Sequence, residues 1–180
     1  MKHPSNKLAE AALYVIARKG WGQITLEDVA VKAKISLKML KSKNDLLPVI
    51  VDYMDKKMLA NTSVSTGGSL HDRLFEILMA RFDAFQEHRK AMLSIFRSIP
   101  KDPRAVCAVM PCIRISAAQV IDHCRISGCK TAHTLALFGI MAATTRAFAK
   151  DDSADLGKTM AALDQHILRA EKIGLFKEAG

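Results

Sequence analysis

Apolar residues recur at helical spacing along almost the whole chain. Leu8, Ala11, Ala12, Val15 and Ile16 form one stripe and predict a helix from about Ser5 to Lys19, with Ser5 as its N-cap and Gly20 as its stop. Trp21 and Ile24 anchor a short loop. Thr25 then caps a second helix, with Asp28 three residues on completing an imperfect capping box and Leu26, Val29, Ala30 and Ala33 turned inward. Ser36 is expected to cap a third, very short helix. Asn44 or Asp45 opens a fourth, whose stripe is Leu46, Ile50, Tyr53, Met54 and Met58, with Pro48 near its start, where a missing N–H is tolerated.

The polar, glycine-bearing run Asn61 to Ser69 cannot hold a packed helix and divides the chain into a head, 1–60, and a body, 61–180. In the body, Leu70, Leu74, Leu78, Phe82 and Phe85 predict a long fifth helix ending near His88. Met92, Leu93 and Phe96 belong to a sixth that stops before Pro100. A seventh starts at Pro103, bends at Pro111 and runs to about Gly128. An eighth spans Thr131 to Lys150, is broken by the run Asp151 to Asp155, and is followed by a ninth from Thr159 to Ile173. No internal repeat and no alternating strand pattern appears, so the expected fold is all-α with about nine helices.

Composition adds few restrictions. Half of the 180 residues are hydrophobic (49%) and a quarter charged (25%), which is globular, and that length buries enough surface to need neither disulfides nor metals. No continuous apolar run approaches the ~20 residues of a bilayer span, and Met1 to Asn6 lacks the apolar stretch of a secretory signal, so a cytoplasmic protein with reduced cysteines is expected. The formal net charge of +9 is uneven: Lys and Arg outnumber Asp and Glu by 11 to 6 in residues 1–60 and by 16 to 12 in the remainder. A basic head suits a polyanion, although solubility alone would also account for it.

Two short helices joined by a tight turn at Lys34-Ile35 are what a helix-turn-helix requires, because its second helix must project alone into a major groove. Thr25-Leu26-Glu27-Asp28-Val29-Ala30, then Ala33-Lys34-Ile35-Ser36, then Ser42-Lys43-Asn44-Asp45-Leu46-Leu47, preceded by Gly20-Trp21, resembles the N-terminal signature of the TetR family of transcriptional regulators. The resemblance covers residues 8–55. It implies a TetR-like architecture, in which a three-helix head precedes a helical body that binds a small apolar ligand and forms a homodimer on double-stranded DNA. It also implies that Thr25 and Lys43 hold phosphates at two helix N-termini, that Ser36, Leu37 and Lys38 lie on the recognition helix, and that Lys34 and Lys41 add charge nearby. The sequence departs from the family pattern, and Lys38 stands where a small residue is usual. Leu40 is followed at once by Lys41 and Ser42-Lys43, about one helical turn short, and the usual aromatic pair is missing. A head that folds but no longer reads DNA therefore stays open.

Met79, Phe82, Phe85, Met92, Phe96, Met110, Phe138 and Met141 are either plain core or the lining of a ligand pocket, a use that adaptable Met-rich helices favour. The C-terminal run Asp151 to Leu156 with Thr159 to Asp164 is similar to that of the coenzyme Q biosynthesis lipid-binding family, which shares the TetR-like fold. This second resemblance implies a lipid or isoprenoid carrier that does not bind DNA. Met160, Leu163 and Ile167 follow the spacing of a helix-packing seam, and the eighth helix is apolar on most sides. Together with Leu137, Phe138 and Met141 they predict a two-fold interface, the alternative being burial within one chain.

Catalytic and metal chemistry find little support. Cys107 and Cys112, like Cys124 and Cys129, are five apart and point ~140° away from each other on a helix. No two histidines have the i, i+4 spacing of a metalloprotease. Neither a phosphate loop, nor a nucleophile elbow, nor a carboxylate pair appears. No catalytic residue, metal or cofactor is expected.

Overall fold

The computed structural model describes residues 4–36, 40–62 and 68–178. Among them are eight α-helices: α1 (Pro4–Lys19), α2 (Leu26–Ala33), α3 (Leu46–Ala60), α4 (Leu70–Glu87), α5 (Arg89–Ser98), α6 (Pro103–His123), α7 (Lys130–Phe148) and α8 (Gly157–Lys172). Single 3-10 turns at Lys43–Asp45 and Ile99–Lys101 lead into α3 and α6. A two-residue antiparallel ladder, β1 (Ile126–Ser127) with β2 (Lys177–Glu178), ties the end of the chain to the α6–α7 turn.

Ser5 lies inside α1, which already begins at Pro4, so it is not the N-cap the sequence suggested, whereas the signals at Gly20 and Thr25 act as expected. Gly20 ends α1 at a φ of +78°, a conformation glycine adopts without Cβ strain, and its N–H closes on the Ile16 carbonyl at 2.8 Å. Thr25 caps α2 reciprocally. Its hydroxyl accepts the Asp28 N–H at 3.2 Å, and the Asp28 carboxylate accepts the Thr25 N–H at 3.1 Å. Lys34 ends α2 in the left-handed region, at φ 55°.

Several expectations need correction. The third helix expected from Ser36 falls on residues 37–39, outside the described residues, among which eight of the about nine expected helices are seen. α6 continues through Pro111 and ends at His123, five residues short of the expected Gly128, because Arg125 at φ 53° turns the backbone out of the helix. By length and mean hydropathy (1.5) α6 also reaches what a bilayer span needs, although Arg114 interrupts its apolar run. Arg114 lies at its middle, where a lipid core would disfavour it, and one face of the helix is buried through Ala105, Val109, Ala117, Val120 and Ile121. The β1–β2 ladder carries too few residues to leave an alternating pattern in the sequence.

The chain divides into two compact units, residues 1–56 with 84–112 and residues 57–83 with 113–180. In the first, α1 packs on both α2 and α5. Leu13, Ile16, Trp21, Leu46, Leu47 and Met54 are fully buried, each worth about 1.5–3 kcal/mol of apolar transfer. The Trp21 N–H donates to the Ser94 hydroxyl at 2.8 Å, so α5 braces the loop ahead of α2. In the second unit α7 and α8 are close partners. Leu74, Ile77 and Leu78 of α4 are buried there, and Phe82 meets Phe148 at a centroid distance of 5.6 Å.

Candidate nucleic-acid interface

The N-terminus of α2 is the best-defined polar element of the first unit. The capping box leaves Thr25 exposed, and the Lys19 ammonium holds the Asp28 carboxylate at 2.6 Å. That contact, with the Thr25 N–H and hydroxyl, keeps the Asp28 carboxyl below its usual range. Asp45 does the same for the next turn, accepting the Lys41 N–H at 2.7 Å and the Ser42 N–H at 3.0 Å. These amides, the Ser42 N–H most of all, hold the Asp45 carboxyl below its usual range as well.

Of the residues expected at DNA, Thr25, Lys34, Ser36 and Lys41 are exposed, whereas Leu37 and Lys38 lie outside the described residues. Lys43 is half-buried. Its ammonium donates to the Trp21 carbonyl at 3.1 Å and the Gly22 carbonyl at 3.2 Å, and lies 5.8 Å from the Trp21 ring. Two further basic residues were missed: Arg18 and Lys32 flank the exposed Tyr14 ring at 4.8 and 3.7 Å, tying α1 to α2 by cation–π contact. Tyr14 stands outside the apolar stripe of α1, and its i, i+4 spacing to Arg18 was the available signal.

Beside Lys43 opens a groove of about 660 Å³, lined by Ser42, Lys43, Asn44, Asp45, Asp102 and Arg104 among others. Its walls carry both signs of charge, and the buried Asn44 amide donates to Asp102 at 3.3 Å. It contains none of the eight residues expected to line an apolar pocket. Those eight are divided between the units. Phe85, Met92, Phe96 and Met110 lie in the first, where Phe85 meets Phe96 edge-on at 5.3 Å and Met110 is exposed. Met79, Phe82, Phe138 and Met141 lie in the second, with Met79 and Phe82 buried and Phe138 43% exposed.

The residues expected at a two-fold interface also separate. Leu137, Leu163 and Ile167 are buried within the chain, Leu163 and Ile167 fully, while Met141 and Met160 are half-buried and Phe138 is exposed. The outer side of α7 instead shows Leu135, 67% exposed, together with Phe138, Gly139 and Ala142. Among the cysteines, Cys124 is buried and its thiol is pushed up to about 12, whereas Cys107 and Cys129 are exposed. No group of three metal-ligating side chains occurs among the described residues.

No protein-family sequence model matches the chain, and neither does any curated protein. Solved structures do match it over nearly its full length. A TetR transcriptional regulator from Nitrosomonas europaea has 20% identity and a TM-score of 0.72, with 95% of this chain and 99% of that one covered. A TetR transcriptional regulator from Rhodococcus sp. RHA1 has 15% identity and a TM-score of 0.62, with 89% and 90% covered. A Clostridium perfringens protein proposed to regulate fatty acid metabolism has 16% identity and a TM-score of 0.53, with 91% and 97% covered.

Proposed function

We infer, from a chain that takes the fold of TetR-family transcriptional regulators along nearly its whole length, that this protein is a non-catalytic DNA-binding regulator, acting as a repressor in the cytoplasm. The observation that carries the reading is that likeness, at a TM-score of 0.72, joined to a basic head whose α2 N-terminus is capped and exposed. Residues 1–60 form the reading head and 61–180 the ligand-binding and pairing part, with α5 bracing the head through Ser94. Thr25, Lys34, Ser36 and Lys41 face the phosphates, and Lys43 positions the loop between α1 and α2. The effector is a small apolar molecule held in the second unit near Met79, Phe82 and Met141. Two copies pair through the outer stripe of α7 to span half-sites about 34–36 Å apart. A ligand that favours another head spacing releases the DNA.

Fluorescence anisotropy with duplex from upstream of the protein's own gene tests this. Binding should fall steeply as salt rises, because Lys and Arg displace counterions from phosphates. Absence of binding to specific and random duplex alike at low salt would refute it. One observation favours a second reading, a lipid or isoprenoid carrier on the same fold: in the sequence Leu40 is followed at once by Lys41 and Ser42-Lys43, about one helical turn short of the family pattern. That reading expects co-purified lipid, detected by mass spectrometry, and no DNA binding.

A further inference from the structure

His71 is the second residue of α4, and its imidazole reaches two carboxylates of α8 at once. Its Nε2 lies 3.0 Å from Asp164 Oδ1 and its Nδ1 3.1 Å from Glu171 Oε2. Asp164 and Glu171 are seven residues apart, two helical turns along one face of α8. A neutral imidazole has a single N–H and can donate to only one of them, leaving the other carboxylate against a lone pair. An imidazolium has two N–H groups and satisfies both.

We propose that His71 is a pH-operated clasp between α4 and α8. With both ring nitrogens protonated it pins the first turn of α4 to α8, and on losing one proton it releases one of the two carboxylates. The neighbouring charged groups on α4, Asp72 and Arg73, have partners of their own. Asp72 accepts the Ser69 N–H at 3.1 Å and the Ser69 hydroxyl at 2.7 Å, and Arg73 donates to the Gly68 and Cys124 carbonyls. The charges facing His71 from α8 are thus Asp164 and Glu171. Burial alone would favour the neutral ring, but the hydrogen bonds to Glu171 and Asp164 outweigh it and raise the proton affinity of His71 above the ordinary histidine value. The stabilisation is therefore complete below about pH 6.5, while the carboxylates stay ionised, and is lost as pH rises through the higher folded-state value. The clasp thus responds to pH in the near-neutral range, at the point where the chain enters α4.

Histidine-labelled NMR on the full chain, with the His71 signal assigned by its loss in His71→Gln, tests the clasp. The His71 midpoint should lie above about 6.5 and should drop by about half a unit or more in both Asp164→Asn and Glu171→Gln. Amide-exchange protection in the first two turns of α4 should fall across the same midpoint in the parent and stay level in His71→Gln. A midpoint at or below 6.5, sensitivity to only one carboxylate, or the same loss of protection in His71→Gln would overturn the proposal. If His71→Gln does not fold, His71→Asn supplies the assignment, and the Asp164→Asn and Glu171→Gln variants, at partly exposed positions, still decide the test.

Discussion

Asp151 accepts both the backbone N–H and the hydroxyl of Thr159 at 2.8 Å, eight residues away, from a position with no solvent exposure. Its other oxygen takes the Ser153 N–H and hydroxyl. The α7–α8 turn is therefore organised around one buried carboxylate that closes the N-terminus of α8, where a negative charge is also favoured by the helix dipole.

Burial opposes ionisation of Asp151, but the Ser153 and Thr159 donors outweigh it and hold its carboxyl well below the usual range. A depressed folded-state value means that this stabilisation is present above the unfolded value, about 3.9, and fades as pH falls through the folded one. Asp151→Ala should cost on the order of 2 kcal/mol in denaturant unfolding at pH 7, with the difference from the parent shrinking in acid. A difference that stays constant down to pH 2 would show that the charge is not what holds the turn.

Lys43 gives a prediction that separates two modes of action. Its ammonium is bound to the Trp21 and Gly22 carbonyls, so its effect on DNA runs through the loop that sets α2. Lys43→Ala should lower the Tm and weaken binding to specific and random duplex by the same factor. The slope of log affinity against log salt should stay unchanged. A slope reduced by about one unit would place the ammonium on a phosphate instead.

The cysteines should separate by burial. At pH 8 a thiol reagent should modify Cys107 and Cys129 quickly, since both are exposed, while Cys124, pushed up to about 12 by burial, reacts only on unfolding. Rapid native-state labelling of Cys124, read by peptide mass, would mean that the α6–α7 turn opens readily.

How much of this was legible in the sequence depended on range. Thr25 and Asp28, three residues apart, announced the α2 cap, and Gly20 the end of α1, because both interactions lie within one turn of chain. The His71 clasp joins residues 93 and 100 positions apart, and the Lys43 contacts with the 21–22 loop depend on how α3 is set against α1; neither leaves a local pattern. Leu163 and Ile167 show the ambiguity of spacing itself. A seam with helical period looks the same whether a neighbouring helix of the same chain or of another copy covers it, and here α7 packs on α8 within one chain. Asp151 reads in sequence as part of a helix-breaking acidic run, and its buried capping role requires Thr159 to be folded back onto it.

The proposed pairing surface follows from what α7 leaves uncovered. Leu137 and Ile140 are buried on its inner side, yet Leu135, Phe138, Gly139 and Ala142 remain exposed at i, i+3, i+4 and i+7, a single stripe along the outer side. α8 adds Ala161 and Leu168, both exposed. A helix apolar on both sides suits burial on both sides, and a second copy related by a two-fold axis supplies an identical stripe. Phe138→Glu should leave the helical circular dichroism intact and shift sedimentation from dimer to monomer, because it places two unpaired charges in the interface at a position 43% exposed in the single chain. Leu163→Glu should behave differently. A charge at a position with no exposure costs several kcal/mol of folding free energy, so the variant should lose helicity or aggregate rather than yield a folded monomer. A parent that sediments as a monomer at micromolar concentration, or a Phe138→Glu variant that stays dimeric, would remove the α7 stripe as the pairing surface.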